Sequence, residues 1–167
     1  MNKPFRLFFL FFFLLFLQVF VLNNILLFGS INPYLYIIFV FLYPLKENKI
    51  QLLFFSFLLG LLIDFFSDTG GVHAFAITFI AYLRLFFVKV YFRKLALDYP
   101  FFKLQSESFG KRFNYVVSLT VIHHLLFFLL INFSFYNLFN VLTNTFFSSI
   151  FTLVLYFIGT TIFTENE

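Results

Sequence analysis

Six apolar runs divide this 167-residue chain, and all eleven Lys and Arg residues lie on one side of the barrier those runs define. The cations are Lys3, Arg6, Lys46, Lys49, Arg84, Lys89, Arg93, Lys94, Lys103, Lys111 and Arg112. They flank or fill the amino terminus, the second loop and the fourth loop, and the first, third and fifth loops carry none. Loops that stay in the cytoplasm accumulate Lys and Arg. The expectation is an all-α integral membrane protein of six transmembrane helices, with both termini and loops two and four cytoplasmic.

Composition narrows the alternatives. Hydrophobic residues make up 62% of the chain and charged residues 11%, against roughly 25% charged in a soluble domain. The basic balance suits an anionic membrane surface. No basic patch is interleaved with aromatics on a polar scaffold, so nucleic acid is not an expected partner. Cysteine is absent, which excludes disulfides and thiolate metal sites. The first apolar run is long and has no small-residue cleavage site, so it reads as a retained span. The 35 Phe residues are read as lipid-facing surface or core filler, not as a cofactor box.

The chain reads as one transmembrane domain over 1–167, with spans at about 5–22, 31–45, 50–66, 72–90, 113–131 and 138–163. Asn23, Asn24, Gly29, Ser30, Asn32 and Pro33 supply turn chemistry after span one. Span two is short for a bilayer core that needs about 20 helical residues, but deleting it would place Lys46 and Lys49 outside. Lys46 to Lys49 form a cytoplasmic turn, and Ser67 to Gly71 an external one. Residues 91–112, cationic and interleaved with aromatics, suggest a cytoplasmic segment lying in the interface. A short uncharged turn around 132–137 joins the last two spans.

Ionisable groups within spans are costly and mark candidate sites. Ser56, Gly60 and Asp64 share one face of span three, where small residues permit close helix approach. Asp64 either offers a carboxylate to a partner group or is solvated at the outer interface. Asp68 and Thr69 precede Gly70-Gly71 and are expected to cap span four. His73, in its first turn, could meet Asp64 or Asp68. His123 and His124 sit mid-span and point about 100° apart, so they cannot chelate one metal together; buried interhelical hydrogen bonding is the expected role. Arg84 is expected to snorkel to the cytoplasmic interface. There is no nucleophile-base constellation, no phosphate loop and no H-E-x-x-H, so neither catalysis nor a metal or other cofactor is expected.

The stretch Gly60-Leu61-Leu62-Ile63-Asp64, Asp68, Gly71-Val72-His73-Ala74, then Tyr82-Leu83-Arg84, resembles the rod shape-determining protein MreD family, whose members show G-x-x-x-D, a short polar turn, G-x-H-A and a later Tyr-Leu pair. Asn32-Pro33-Tyr34-Leu35-Tyr36 is similar to its second-span opening, although an acidic residue often stands where this chain has Tyr34. The resemblance implies a non-enzymatic scaffold of the elongation complex in the bacterial cytoplasmic (inner) membrane. It would bind an MreC-like protein and link MreB filaments to RodA and its penicillin-binding transpeptidase for cell-shape control. It also implies a fold like the S-component of energy-coupling-factor transporters, and it places Gly60, Asp64, Gly71, His73 and Ala74 at the outer end of spans three and four against the partner. The competing reading is a small-molecule-binding subunit of such a transporter. Those subunits carry small residues on span one to dock the transport motor, and 5–22 contains no Ala, Gly or Ser.

Overall fold

The computed structural model describes residues 3–25, 31–45, 48–93, 104–132 and 137–164. These residues form six α-helices in chain order: α1 (Lys3–Phe16), α2 (Ile38–Leu42), α3 (Lys49–Ser67), α4 (Val72–Phe92), α5 (Phe109–Asn132) and α6 (Leu138–Thr164). α1 continues through a π-helical segment (Leu17–Val21) and a 3-10 turn (Leu22–Asn24), and a second 3-10 turn (Leu35–Ile37) leads into α2. Among the described residues, five helical stretches are long and apolar enough to cross a membrane: Phe5–Asn24, Lys49–Ser67, Val72–Phe92, Phe109–Asn132 and Leu138–Thr161. The chain is an all-α, multi-pass membrane protein.

Large apolar side chains face outward as well as into the core, as a lipid solvent allows. Phe8, Phe20, Phe65, Phe86, Phe139 and Phe146 are exposed, while Gln18, Asp64, His73, Arg84, His123 and His124 are buried. A soluble monomer rarely tolerates such a continuous apolar surface. In hydrocarbon the polar groups must instead find partners within the bundle.

The second apolar run departs from a simple span. With its preceding turn, α2 is eight residues and about 13 Å long, well short of a bilayer core of about 30 Å. It is enclosed by the longer helices: Tyr36, Ile37, Phe39, Val40 and Phe41 are all buried. Pro33 and Pro44 bracket this stretch and limit its helical extent. Yet the chain does return through the bundle here. Ring pairs Phe11–Phe55 and Phe20–Phe66, with centroids 6.3 and 6.5 Å apart, and the Asn23–Ser67 hydrogen bond of 2.8 Å, keep a nearly constant sequence offset, so α1 and α3 run parallel. Residues 31–45 lead back from one end of the bundle to the other: Tyr36 lies beside His73 at the start of α4, and Tyr43 beside Arg84 farther along it.

The loop expected at 91–112 is shorter. α4 runs on to Phe92 because nothing breaks it earlier, and it stops with Arg93 in the left-handed region at φ 53°; α5 already begins at Phe109. Lys94, Lys103 and the rest of 94–103 lie outside the described residues, as do Gly29, Ser30, Lys46, Glu47 and 133–136. α3 starts under Asn48, whose side chain accepts a hydrogen bond from the Ile50 amide at 2.9 Å, an N-cap arrangement.

Candidate functional site

α3 and α4 form a hairpin whose tightest point is Gly60. A Cβ placed there would lie 2.5 Å from the Ala74 Cα and 2.6 Å from its amide nitrogen, so only hydrogen fits. One turn further, Asp64 turns inward. Its Oδ1 accepts from the His73 amide at 3.0 Å and from the Thr69 hydroxyl, and its Oδ2 accepts from the Ala74 amide at 2.8 Å. Those amides are unpaired donors of the first turn of α4. The cap of α4 therefore comes from the neighbouring helix. This corrects the expected capping by Asp68 and Thr69. Asp68 instead ends α3 in the left-handed region at φ 53°, its amide bonded to the Asp64 carbonyl. Thr69 serves the cap indirectly, by donating to the carboxylate. Gly70 and Gly71, at φ 63° and 95°, make the reversal that brings His73 and Ala74 onto Asp64. Asp64 is only 4% exposed and both its oxygens are occupied, so it is neither solvated nor free to pair with a partner group.

A row of aromatic polar groups crosses the bundle just beneath. The Tyr36 hydroxyl lies 2.8 Å from His73 Nδ1 and 2.7 Å from His123 Nε2, all three side chains being buried. A hydroxyl has one hydrogen to give. His123 Nδ1 is sealed in the bundle with no partner among the described residues, whereas His73 borders an open cavity, so the one N–H left over in this row falls to His73 rather than to the enclosed His123 ring. The favoured arrangement has His123 Nε2–H donating to Tyr36 and Tyr36 donating to His73 Nδ1. That leaves His73 with its proton on Nε2. His124 belongs to a separate chain of fixed direction: the Tyr34 amide donates to Thr152 Oγ1 at 3.0 Å, which lies 3.1 Å from His124 Nε2, while His124 Nδ1 lies 2.8 Å from the Thr120 carbonyl. Because a carbonyl only accepts, His124 Nδ1 holds the proton and Thr152 donates to Nε2. The two adjacent histidines thus tie α5 to different neighbours, His123 toward Tyr36 and α4, His124 toward α6 and the Tyr34 amide that Thr152 accepts.

Arg84 does not snorkel. It is 2% exposed, its Nε donates to the Tyr115 hydroxyl at 3.3 Å and its Nη2 to the Tyr43 carbonyl. No carboxylate lies within ion-pair distance of it among the described residues. Neutral oxygens from the return segment and from α5 solvate the guanidinium inside the bundle, so it bridges three elements. Tyr82, two residues before, points outward at 59% exposure.

At the carboxylate end a cavity of about 370 Å³ opens between the end of α1, the 31–34 segment and the α3–α4 turn. Its polar lining is Asn23, Asn24, Asn32, Ser67, Thr69 and His73, and Tyr34, Phe66 and Phe127 are among its aromatic walls. Gln18 braces the rim from behind, donating to Asn23 Oδ1 at 2.8 Å and to the Pro33 carbonyl at 3.1 Å.

The structure therefore joins Gly60, Asp64, Gly71, His73 and Ala74 into one locked turn, attaches His123 to it through Tyr36, and leaves Asp68 and Tyr82 at the surface and Arg84 and His124 in separate clusters. Among the described residues no three His, Cys, Asp or Glu side chains converge on a possible metal position. The sequence singles out neither Thr152, Tyr43 nor Gln18, and Tyr36 only within the opening of the second span. Gln18 and Tyr36 had a signal, as hydrogen-bonding side chains inside apolar runs; Thr152 and the Tyr43 carbonyl had none. No protein-family model, curated protein or solved structure matches the chain.

Proposed function

We propose that this protein is a six-crossing membrane scaffold of the bacterial cytoplasmic membrane with an MreD-like role, holding an MreC-like single-helix partner and through it the wall-elongation machinery. The observation that carries the reading is the locked α3–α4 hairpin. The residues of the G-x-x-x-D and G-x-H-A resemblance use most of their hydrogen bonds to build a rigid turn, as a scaffold needs. The lipid-facing side of this hairpin bears a depression of about 270 Å³ lined by Leu53, Phe75, Phe79, Tyr82 and Thr78, whose hydroxyl is turned to the Ala74 carbonyl. Helix association in lipid rests on such packing and not on a hydrophobic drive, and aromatic side chains supply large contact areas. The partner helix is assigned to this face, and Asp64 acts by shaping it. The absence of small residues from α1 weighs against the transporter reading.

Pull-down of tagged protein in mild detergent tests the assignment. Phe79→Ala with Tyr82→Ala should lower recovery of the MreC-like partner about tenfold, a loss of roughly 1.4 kcal/mol, while Phe147→Ala on the far helix leaves it unchanged. Full recovery with the double variant would sink the docking face, and recovery of no elongation component at all would sink the function.

Six crossings require the second run to traverse the membrane, and cation bias argues for the Lys49, Lys89 and Lys111 end in the cytoplasm. The chain contains no cysteine, so single cysteines report sidedness cleanly. In intact cells, Asn132→Cys should react with a membrane-impermeant maleimide, and a cysteine appended to either terminus should be protected. Labelling of one terminus but not the other would mean five crossings.

A further inference from the structure

We infer that the cavity at the carboxylate end is a binding site for an uncharged ring compound bearing hydroxyl or amide groups. This inference stands independently of the scaffold assignment. At about 370 Å³ the cavity falls within the range of sites that hold small molecules, roughly 300–1,000 Å³.

The class of ligand follows from what the lining has left to offer. Asn24 Nδ2 is committed to the Phe20 carbonyl at 3.0 Å, leaving Oδ1 as an acceptor. Asn32, with its amide nitrogen toward the Ile25 and Ile31 carbonyls, also borders the space. The Ser67 hydroxyl accepts from Asn23 and retains its own hydrogen. His73 is 2% exposed and lines the cavity, and with Nδ1 engaged by Tyr36 its Nε2 has no partner among the described residues. The tautomer assigned above makes that Nε2 a donor. Both donors and acceptors therefore face the space, around walls that include Tyr34, Phe66 and Phe127.

Charge excludes the commoner ligands. Between residues 17–42, 50–83 and 113–163 the only formally charged side chains are Asp64 and Asp68. An anion entering here would find no cation. A cation would find the Asp64 oxygens already occupied by Thr69, His73 and Ala74, and Asp68 is not part of the lining. An uncharged ring can stack on the aromatic walls while its hydroxyl or amide groups use both kinds of remaining hydrogen-bond capacity. Such chemistry is found both in amino sugars and in heteroaromatic vitamins.

Equilibrium dialysis of the detergent-purified chain distinguishes these sources, using N,N′-diacetylchitobiose, riboflavin and, as the charged comparison, N-acetylglucosamine 6-phosphate. Binding of chitobiose or of riboflavin, in excess of the phosphorylated sugar, supports the site and names the source. Asn32→Leu and Ser67→Ala should each weaken that binding about tenfold. Ser67→Ala removes only a hydroxyl and remains informative if the Asn32 variant does not fold. Failure of both neutral probes to bind at millimolar concentration would overturn the inference. So would equal binding of the phosphorylated sugar, or affinity unchanged in a folded variant.

Discussion

Asp64→Ala should lower the melting temperature of the purified protein by about 6–12 °C, with little change in membrane insertion. Three hydrogen bonds converge on the carboxylate, two from amides of α4 and one from Thr69, and bonds to a charged acceptor contribute about 1.5–3 kcal/mol each. They are not independent, and water reaching the opened turn would recover part of the loss, so about 3 kcal/mol is expected; for a domain of this size each kcal/mol is worth about 2–4 °C. The macrodipole adds to the effect, because the anion sits at the positive end of α4. Asp64→Asn separates charge from shape. Its amide nitrogen must face either the Ala74 amide or the His73 and Thr69 donors, so at least one donor is left without an acceptor and about half the destabilisation should remain. An Asn variant that melts like the wild type would show that the charge is dispensable. A wild-type melting point for the alanine variant would remove the cap from any role in stability.

That cap also shows where reading the sequence reaches its limit. Hydropathy and cation placement made the five long helices legible, because each is a local property of about twenty consecutive residues. The small-residue spacing of Ser56, Gly60 and Asp64 was legible too, since three- and four-residue steps lie on one helical face. What Asp64 does was not legible. Asp68 and Thr69 stand where a local cap belongs, and only the left-handed Asp68 and the two positive-φ glycines swing the chain so that a residue nine positions upstream takes over. The Tyr36 bridge is harder still, joining groups 37 and 87 residues apart. A position near the end of its span favours snorkelling for Arg84. The Tyr43 carbonyl, just before Pro44 interrupts the second run, gives it an internal partner instead. For the second run, charge parity argues for a crossing, whereas the helix found there is too short to be one by itself.

Gly60→Ala and Gly159→Ala should shift stability in opposite directions, although both exchange glycine for alanine within a helix. Alanine favours a helix over glycine by about 1 kcal/mol. At Gly159 nothing lies within 4 Å of the added methyl, so that gain should be realised and the melting temperature should hold or rise by a few degrees. At Gly60 the methyl meets backbone atoms at 2.5, 2.6 and 2.8 Å, against an ordinary carbon contact of about 3.5–4.0 Å. A backbone cannot rotate aside as a side chain can, so α3 and α4 must separate by about 1 Å. Overpacking of this kind costs about 1–3 kcal/mol, and the same displacement draws Asp64 away from the His73 and Ala74 amides. The second effect outweighs the propensity gain, for a net loss of about 2–3 kcal/mol. Because part of that loss is the loss of the cap, it cannot be incurred twice. Combined with Asp64→Ala, Gly60→Ala should cost at least 1 kcal/mol less than in the wild-type background, the signature of residues that share one structural device. Strict additivity in that double-mutant cycle would mean that the close approach and the carboxylate cap act separately, and the locked hairpin would no longer be a single unit on which a partner could rely.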